Sequence, residues 1–322
     1  MKIAPSVGKK LTTGLTMADM MVYEVQRVFT TRDAARLFSS KRFTEVASGN
    51  FDFLLKVATH YRGDLREEFT AAEVFERSYS ALSKEYRTEY FFKNIVAERL
   101  LLGRHSLNTA TVLPEFRVGR SKADCVILNG SSTCYEIKSD FDNLDRLPEQ
   151  LASYKKLFDK VYVVVGKSHL SKVLNSCESD VGILELTSRK NLRTIREATI
   201  STEPVDISIL MRSLRVHEYR DIVSALSDKN IDYPNTEIFS ACESILQKIP
   251  SPDVRRAFCA TLKKSRKIEK EFILSLPRSL LMAGIGFKLS TDHRRRLAEN
   301  LNKTFSKDTT CTTQYYEANS LN

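Results

Sequence analysis

The feature that most constrains the fold is a continuous run of four β-branched valines and one tyrosine, VYVVV at residues 161–165, which ends at Gly166. Such a run is typical of a strand buried on both faces, so helices must cover both sides of its sheet. Further strand patterns occur at residues 112–118, 122–128, 133–138, 181–186 and 193–199. A helix at residues 142–158 would connect the third strand to the buried run. This order predicts an α/β fold with a mixed central sheet flanked by helices, its first three strands forming a meander.

The remaining chain is predicted to be helical on both sides of this core. A helix is expected at residues 83–104, and Thr70 with Glu73 fits a capping box at an earlier helix start. The expected organisation is a helical N-terminal region at 1–82, an α/β core at 83–202, a helical basic C-terminal domain at 203–302 and a disordered polar tail at 303–322.

The chain of 322 residues carries 50 Lys and Arg against 40 Asp and Glu, a net charge of +10. This excess favours a polyanionic partner. No stretch approaches the roughly 18–20 apolar residues of a membrane span, and the first residues lack the apolar core of a signal peptide. We therefore expect a cytoplasmic protein without a membrane partner, in which the six cysteines are free thiols.

Glu136 and Lys138 lie two residues apart in a predicted strand, so their side chains share one face. Asp124 lies on the preceding strand within an apolar run, where a carboxylate needs a partner or a metal to offset its desolvation. A three-residue hairpin loop would pair Leu128 with Ser132 and put Asp124 opposite Glu136. A two-residue loop would put the two carboxylates on opposite faces. A shared site therefore requires an odd-length loop or a bulge.

Carboxylates that converge from adjacent strands form a hard-oxygen site suited to Mg²⁺ or Mn²⁺. Such an ion polarises a phosphoryl oxygen and lowers the pKa of a bound water. Lys138 beside the pair would stabilise developing charge or orient the attacking water. These are the parts that hydrolysis of a phosphodiester needs.

Asp124 followed by Glu136-Ile-Lys138 resembles the signature of the PD-(D/E)XK nuclease superfamily, in which an acidic residue on one strand precedes Glu-x-Lys on the next. The order of helix, meander, helix and strand is also similar, over about residues 83–166. Ala123 stands where a proline is common, at a position that varies within the superfamily. The sequence also looks like uncharacterised bacterial proteins that contain this core.

The helix after Glu-x-Lys carries Gln150 and Tyr154, which look like the Gln-x-x-x-Tyr motif of the branch with RecB-like and CRISPR-associated exonucleases. The resemblance implies that both contact the metal shell or the DNA. It also implies a glutamate on the first core helix. Glu89 is the matching position, and Glu98, nine residues further on, lies on roughly the opposite side of a helix.

The resemblance implies a Mg²⁺-dependent DNA nuclease, acting as an endonuclease or exonuclease in repair, restriction or defence against phages and mobile elements. Asp124 and Glu136 would bind the metal, with Glu89 as a further ligand or base. The alternative is a non-catalytic nucleic-acid-binding or regulatory module built on the nuclease scaffold. RNA is the less expected substrate, because no RNA-binding module is recognisable.

Structural interpretations of the same residues stay open at this point. The acidic residues with Lys138 would also fit an ion-pair cluster on a half-buried hairpin. Glu89 would fit an i,i+4 pair with Lys93, and Glu115 either an edge-strand salt bridge or a further ligand. Gln150 and Tyr154 would fit a surface amide and a half-buried phenol.

Much of the positive charge is concentrated near the C-terminus. Residues 251–303 contain 13 Lys and Arg against 5 Asp and Glu, a net charge of +8. Contacts between such side chains and phosphates give affinity that depends on salt and little on sequence. The residues predicted to contact DNA are Lys263, Lys264, Arg266, Lys267, Arg294, Arg295 and Arg296.

Overall fold

A computed structural model describes residues 28–104, 109–227 and 233–309. Its strands form a six-stranded sheet and a separate two-stranded sheet. The strands are β1 (Glu68–Thr70), β2 (Thr111–Val118), β3 (Ser121–Leu128), β4 (Ser132–Lys138), β5 (Lys160–Val165), β6 (Gly182–Leu186), β7 (Leu192–Arg196) and β8 (Thr304–Ser306).

The large sheet has the strand order β2-β3-β4-β5-β6-β7. The first three strands are an antiparallel meander, β4, β5 and β6 run parallel, and β7 is antiparallel to β6. This arrangement confirms the predicted α/β class and the mixed sheet. The buried run of valines is the β5 strand near the middle of the sheet, where both faces are covered.

Helices cover both faces of this sheet. The helices are α1 (Thr31–Ala34), α2 (Ser40–Ala47), α3 (Asp52–His60), α4 (Ala71–Glu85), α5 (Glu89–Val96), α6 (Leu147–Lys155), α7 (Lys167–Ser176), α8 (Ile207–Ser213), α9 (Val216–Leu226), α10 (Ile238–Leu246), α11 (Ser251–Ser265), α12 (Lys270–Ser275), α13 (Leu281–Gly286) and α14 (Thr291–Leu301), with shorter helical turns at Ala35–Phe38, Arg62–Asp64 and Arg278–Leu280 and a π-helical continuation of α5 at Ala97–Arg104. None of the helices in these ranges combines the length and hydropathy that crossing a bilayer requires.

Two hydrophobic cores lie on opposite faces of the sheet. One joins strand residues such as Ile127 and Ile137 to the N-terminal helices and to α12, α13 and α14. The other joins residues such as Val126 and Val163 to α6 and to the helices α8 to α11. The boundary expected at residue 203 therefore does not separate two cores, because the C-terminal helices divide between both faces.

Two predicted helices differ in their bounds from those in the structure. The helix predicted at 83–104 is interrupted, because the Thr88 hydroxyl caps a new helix that begins at Glu89. The helix predicted at 142–158 begins at Leu147, with Pro148 in its first turn, where a missing N–H is tolerated.

The tail predicted to be disordered from 303 instead contributes strand β8, which pairs with β1. Residues 310–322 of that predicted tail lie outside the described residues. The five cysteines within the described ranges are free, as expected.

Candidate functional site

The β3–β4 hairpin sets the register of the candidate site. Its loop has three residues, with Gly130 at φ 76°, and Leu128 pairs with Ser132. This loop meets the condition that a shared site requires, because its register puts Asp124 opposite Glu136. The β3–β4 ladder ends at the pair of Cys125 with Tyr135. Beyond it the Asp124 Oδ2 atom accepts a hydrogen bond from the Ile137 backbone N–H at 2.8 Å.

An inner cluster surrounds Glu136, which is only 1% exposed. The Lys138 Nζ atom lies 2.8 Å from Glu136 Oε1 and donates to Gln150 Oε1 at 2.9 Å. The Tyr154 hydroxyl donates to Glu136 Oε2 at 2.9 Å. Both oxygens of the buried carboxylate therefore have partners, as a buried charge requires.

Helix α6 supplies the two polar residues of this cluster. Gln150 and Tyr154 are four residues apart and share one helix face, and that face also buries Leu147 and Leu151. Burial and the neighbouring Glu136 carboxylate raise the pKa of Tyr154 well above its ordinary value, so its phenol keeps the proton that it donates. The interpretation of these residues as a surface amide and a half-buried phenol is wrong, since both are buried.

An outer cluster is centred on Lys93, a residue to which the sequence assigned only a pairing role. Its Nζ atom lies 2.5 Å from Glu89 Oε1 and 3.1 Å from Asp124 Oδ1, and it also bonds Glu115. The Lys93 and Asp124 side chains are 12% and 14% exposed, whereas Glu89 and Glu115 are more open. One ammonium group thus contacts three carboxylates at once.

Glu115 reaches this cluster through a local distortion of β2. Its φ is 53°, in the left-handed region that non-glycine residues avoid. Leu113 and Phe116, three residues apart, both pack in the same core, which strict strand alternation does not allow. Glu115 also pairs with Lys122, as the edge-strand interpretation expected. Local strain of this kind, about 1–2 kcal/mol, is commonly found at functional positions.

The two clusters affect each other electrostatically through Asp124. Burial and the nearby Glu136 carboxylate raise the pKa of Asp124 to about 7, although Lys93 and the Ile137 N–H oppose the shift. Burial alone would lower the pKa of Lys93, but Asp124 and Glu89 hold it well above its ordinary value. An excess of negative charge at this end of the sheet is therefore balanced in part by lysine.

The outer carboxylates have the chemistry of a divalent cation site. Ligand oxygens of Glu89, Glu115 and Asp124 all lie within 4.8 Å of one another. Opposite ligands of an octahedral Mg²⁺ are about 4 Å apart, since each bond is about 2.0–2.1 Å. An ion could bond all three carboxylates only if their side chains moved closer together and the Lys93 ammonium, which now contacts each of them, moved away. Hard carboxylate oxygens also fit the predicted preference for Mg²⁺ or Mn²⁺.

The choice between two glutamates of the first core helix is resolved by their contacts. Glu89 lies in the outer cluster beside Lys93. Glu98 instead pairs with Arg278 at 3.0 Å. Glu89 therefore lies near Asp124 and forms the i,i+4 pair with Lys93, and its role as a metal ligand or base stays a prediction.

The predicted DNA-contacting residues have different surroundings. Lys264 and Lys267 are exposed and Lys263 is half-buried. On α14, Arg295 and Arg296 both pair with Asp292 on their own helix. These two arginines are thus partly neutralised before any partner binds.

The surroundings of Arg266 disfavour its predicted contact with DNA. It forms two 2.7 Å bonds with Glu218, which is completely buried, and its guanidinium lies 5.1 Å from the Phe116 ring centre. Moving it to a phosphate would leave a buried carboxylate unpaired, at a cost of about 3–5 kcal/mol. We assign Arg266 a structural role because it pairs with the buried Glu218. A count of charges along the sequence could not show this pair, because the two residues are far apart in the chain.

A family profile described as "Bacteriophage P4 protein cII" matches residues 82–280. This span contains the six-stranded sheet and every residue of both clusters. The chain belongs to the bacteriophage P4 protein cII family. Protein cII of Enterobacteria phage P4 is 32% identical over 165 residues, which cover 50% of this chain and 61% of that relative.

A solved structure is also similar to part of this cII-family chain. It is the SPO1766 protein of unknown function from Silicibacter pomeroyi, with 16% sequence identity and a TM-score of 0.29. The similarity covers 44% of this chain and 94% of that one.

Proposed function

We propose that this member of the cII family is a Mg²⁺- or Mn²⁺-dependent DNA nuclease with a PD-(D/E)XK-type core. The observation that carries the proposal is that Asp124 and the Glu136–Lys138 pair lie at the same end of neighbouring strands, where Gln150 bonds Lys138 and Tyr154 bonds Glu136. The sequence alone would allow these residues to be scattered. The contacts that join Glu136, Lys138, Gln150 and Tyr154 support a built site.

The residues would divide the work of phosphodiester hydrolysis. Asp124 and Glu136, with Glu89 or Glu115, would hold the ion, which supplies a Lewis acid and a more acidic bound water. Lys138 would hold positive charge next to the reacting phosphate. Gln150 and Tyr154 would orient Lys138 and Glu136 through the bonds that they already make. Tyr154 would keep its proton throughout, since its pKa is raised.

A second candidate function is a non-catalytic DNA-binding module on the same scaffold. The contacts of Lys93 favour it, because its ammonium neutralises three carboxylates that a catalytic ion would otherwise bind. A protein that never binds metal would need such an internal cation. In the nuclease, Lys93 would instead move aside when the ion enters.

The test is metal-dependent cleavage of linear and circular DNA. Wild type should cleave with Mg²⁺ or Mn²⁺ and not with EDTA. Asp124→Asn, Glu136→Gln and Lys138→Met should each abolish cleavage, whereas the exposed Glu149→Gln on α6 should not. Cleavage of circular as well as linear DNA would identify an endonuclease. DNA binding without cleavage under every metal condition would support the second candidate.

A further inference from the structure

Two surface recesses meet beside the outer cluster. The first, here called the acidic pocket, has a volume of about 310 Å³ and contains Glu89, Lys93 and Glu115 together with four apolar side chains. The second, here called the basic groove, has a volume of about 380 Å³. Pro114 and Gly286 line both recesses. The two are therefore neighbouring parts of one surface depression.

The junction between the recesses is narrow and lacks side-chain bulk on one side. A Cβ atom added at Gly286 would lie 3.5 Å from Pro114 Cγ, in ordinary contact. Pro114 directly precedes Glu115 of the outer cluster. Gly286 therefore adds no side-chain bulk at the position where the groove and the pocket adjoin.

The basic groove carries positive charge that is available to a ligand. Lys267 and Lys288 are exposed, and no carboxylate partner occurs for either among the described residues. Arg294 pairs with Glu269 but has no hydrogen-bond partner for its buried Nε atom within the same part of the chain. Three cationic side chains that line one groove suit contacts with the phosphates of a nucleic-acid strand.

The acidic pocket is lined by apolar groups. Its lining includes the buried Phe38 and Met282, which are 4% and 5% exposed, and the half-buried Tyr90 and Phe287. The Tyr90 hydroxyl is fixed by a 2.6 Å bond to the Ser279 carbonyl. Rings of this kind stack on bases of any sequence. A base can reach such recessed groups only when it is unpaired, because paired bases are enclosed within the duplex.

We propose that the basic groove and the acidic pocket form one track for single-stranded DNA. Phosphates lie along Lys267, Lys288 and Arg294, the strand crosses Pro114 and Gly286, and a base enters the pocket. The phosphodiester beside that base then lies next to the outer carboxylates. This inference deepens the proposed function, on which it rests, by naming an unpaired strand as the substrate.

The test measures binding in EDTA, so that it does not depend on cleavage. A labelled oligonucleotide of about 16 nucleotides, single-stranded or annealed, is titrated with the full chain and followed by fluorescence anisotropy. The single strand should bind more tightly than the duplex. Lys267→Glu with Lys288→Glu should lower single-strand affinity by about 25-fold at 0.1 M salt, because each lost phosphate contact removes about 0.7 from the salt slope.

Matched control variants test whether a loss of affinity comes from the track itself or from any change in net charge or side-chain volume. Lys172→Glu with Lys248→Glu makes the same change in net charge at exposed lysines outside the groove and should leave affinity nearly unchanged. Gly286→Leu fills the junction and should weaken single-strand binding. Gly63→Leu adds the same bulk where no atom lies within 4 Å and should not.

Each outcome decides one of the two proposals. Tighter binding of the duplex, or equal losses in groove and control variants, would overturn the track. Selective single-strand binding without cleavage under any metal condition would keep the track and refute the nuclease. Cleavage of duplex DNA by the groove and Gly286→Leu variants at the wild-type rate would keep the nuclease and overturn the track.

Discussion

Replacing Lys93 with methionine removes the one ammonium group that contacts Glu89, Glu115 and Asp124. The loss should be dominated by Asp124, whose side chain is 14% exposed, because the two glutamates are open enough to be hydrated. Removing one partner of a buried ion pair costs about 3–5 kcal/mol, whereas exposed pairs contribute about 0–1 kcal/mol. We therefore expect Lys93→Met to lower the free energy of unfolding by about 3 kcal/mol in EDTA at pH 8.

This deficit should depend on pH and on metal. Protonation of Asp124 removes the unpaired charge, so the deficit should shrink as the pH falls through the raised pKa of about 7. A divalent ion can replace the ammonium, so millimolar Mg²⁺ should stabilise Lys93→Met more than wild type. Urea unfolding with and without Mg²⁺ measures both effects, with Lys84→Met at an exposed position as the control. Equal stability of the two variants in EDTA, or no extra gain from Mg²⁺, would refute this account of the cluster.

Three further changes test other parts of the structure. Burial would raise the pKa of Glu218, but Arg266 lowers it below its ordinary value, so the stability from this pair is present at neutral pH and lost as the pH falls through the lowered pKa. Glu218→Gln should then lower the free energy of unfolding by about 3 kcal/mol at pH 7. It should also make the melting temperature fall less steeply in acid than that of wild type, and an equally steep fall would contradict this. Tyr154→Phe leaves an oxygen of Glu136 without its donor and should cost about 1–3 kcal/mol in urea unfolding; a neutral effect would show that the bond is dispensable. Gly130→Ala should cost about 1–2 kcal/mol because its φ is 76°, and calorimetry showing no loss would place the hairpin loop in another conformation.

The mixed sheet was predictable from the sequence, and the register of its central hairpin was narrowed to two loop lengths, because both depend on nearby residues. The strand patterns of the meander, the valine-rich β5 and the length of one loop bear on which strands pair and which residues share a face. Short sequence distance also explains why Gln150 and Tyr154 could be assigned to one helix face. They are four residues apart on α6, the helix that connects β4 to β5. Helix α7 was not predicted, and the break before Glu89 was missed because the apolar spacing continues across it.

The charge balance of the site was not predictable, because its partners are distant in sequence. Lys93 approaches Asp124 and Glu115 only when α5 packs beside the meander. The i,i+4 spacing from Glu89 was the one signal that put Lys93 on the site face. Arg266 appeared free because Glu218, its buried partner, lies 48 residues earlier.

The pairing of β1 with β8 has a consequence for how the chain is made. Asn300 donates to the Val46 carbonyl across 254 residues, and Phe305 packs on Phe51 and Phe69. At a synthesis rate of about 5–20 residues per second, the N-terminal helices wait on the order of 10 to 50 s for these partners. During that interval Phe43 can pack on Phe75 but still lacks Phe287, its partner at the end of α13. We therefore expect the N-terminal helices to complete their packing only after α13, α14 and β8 have been made.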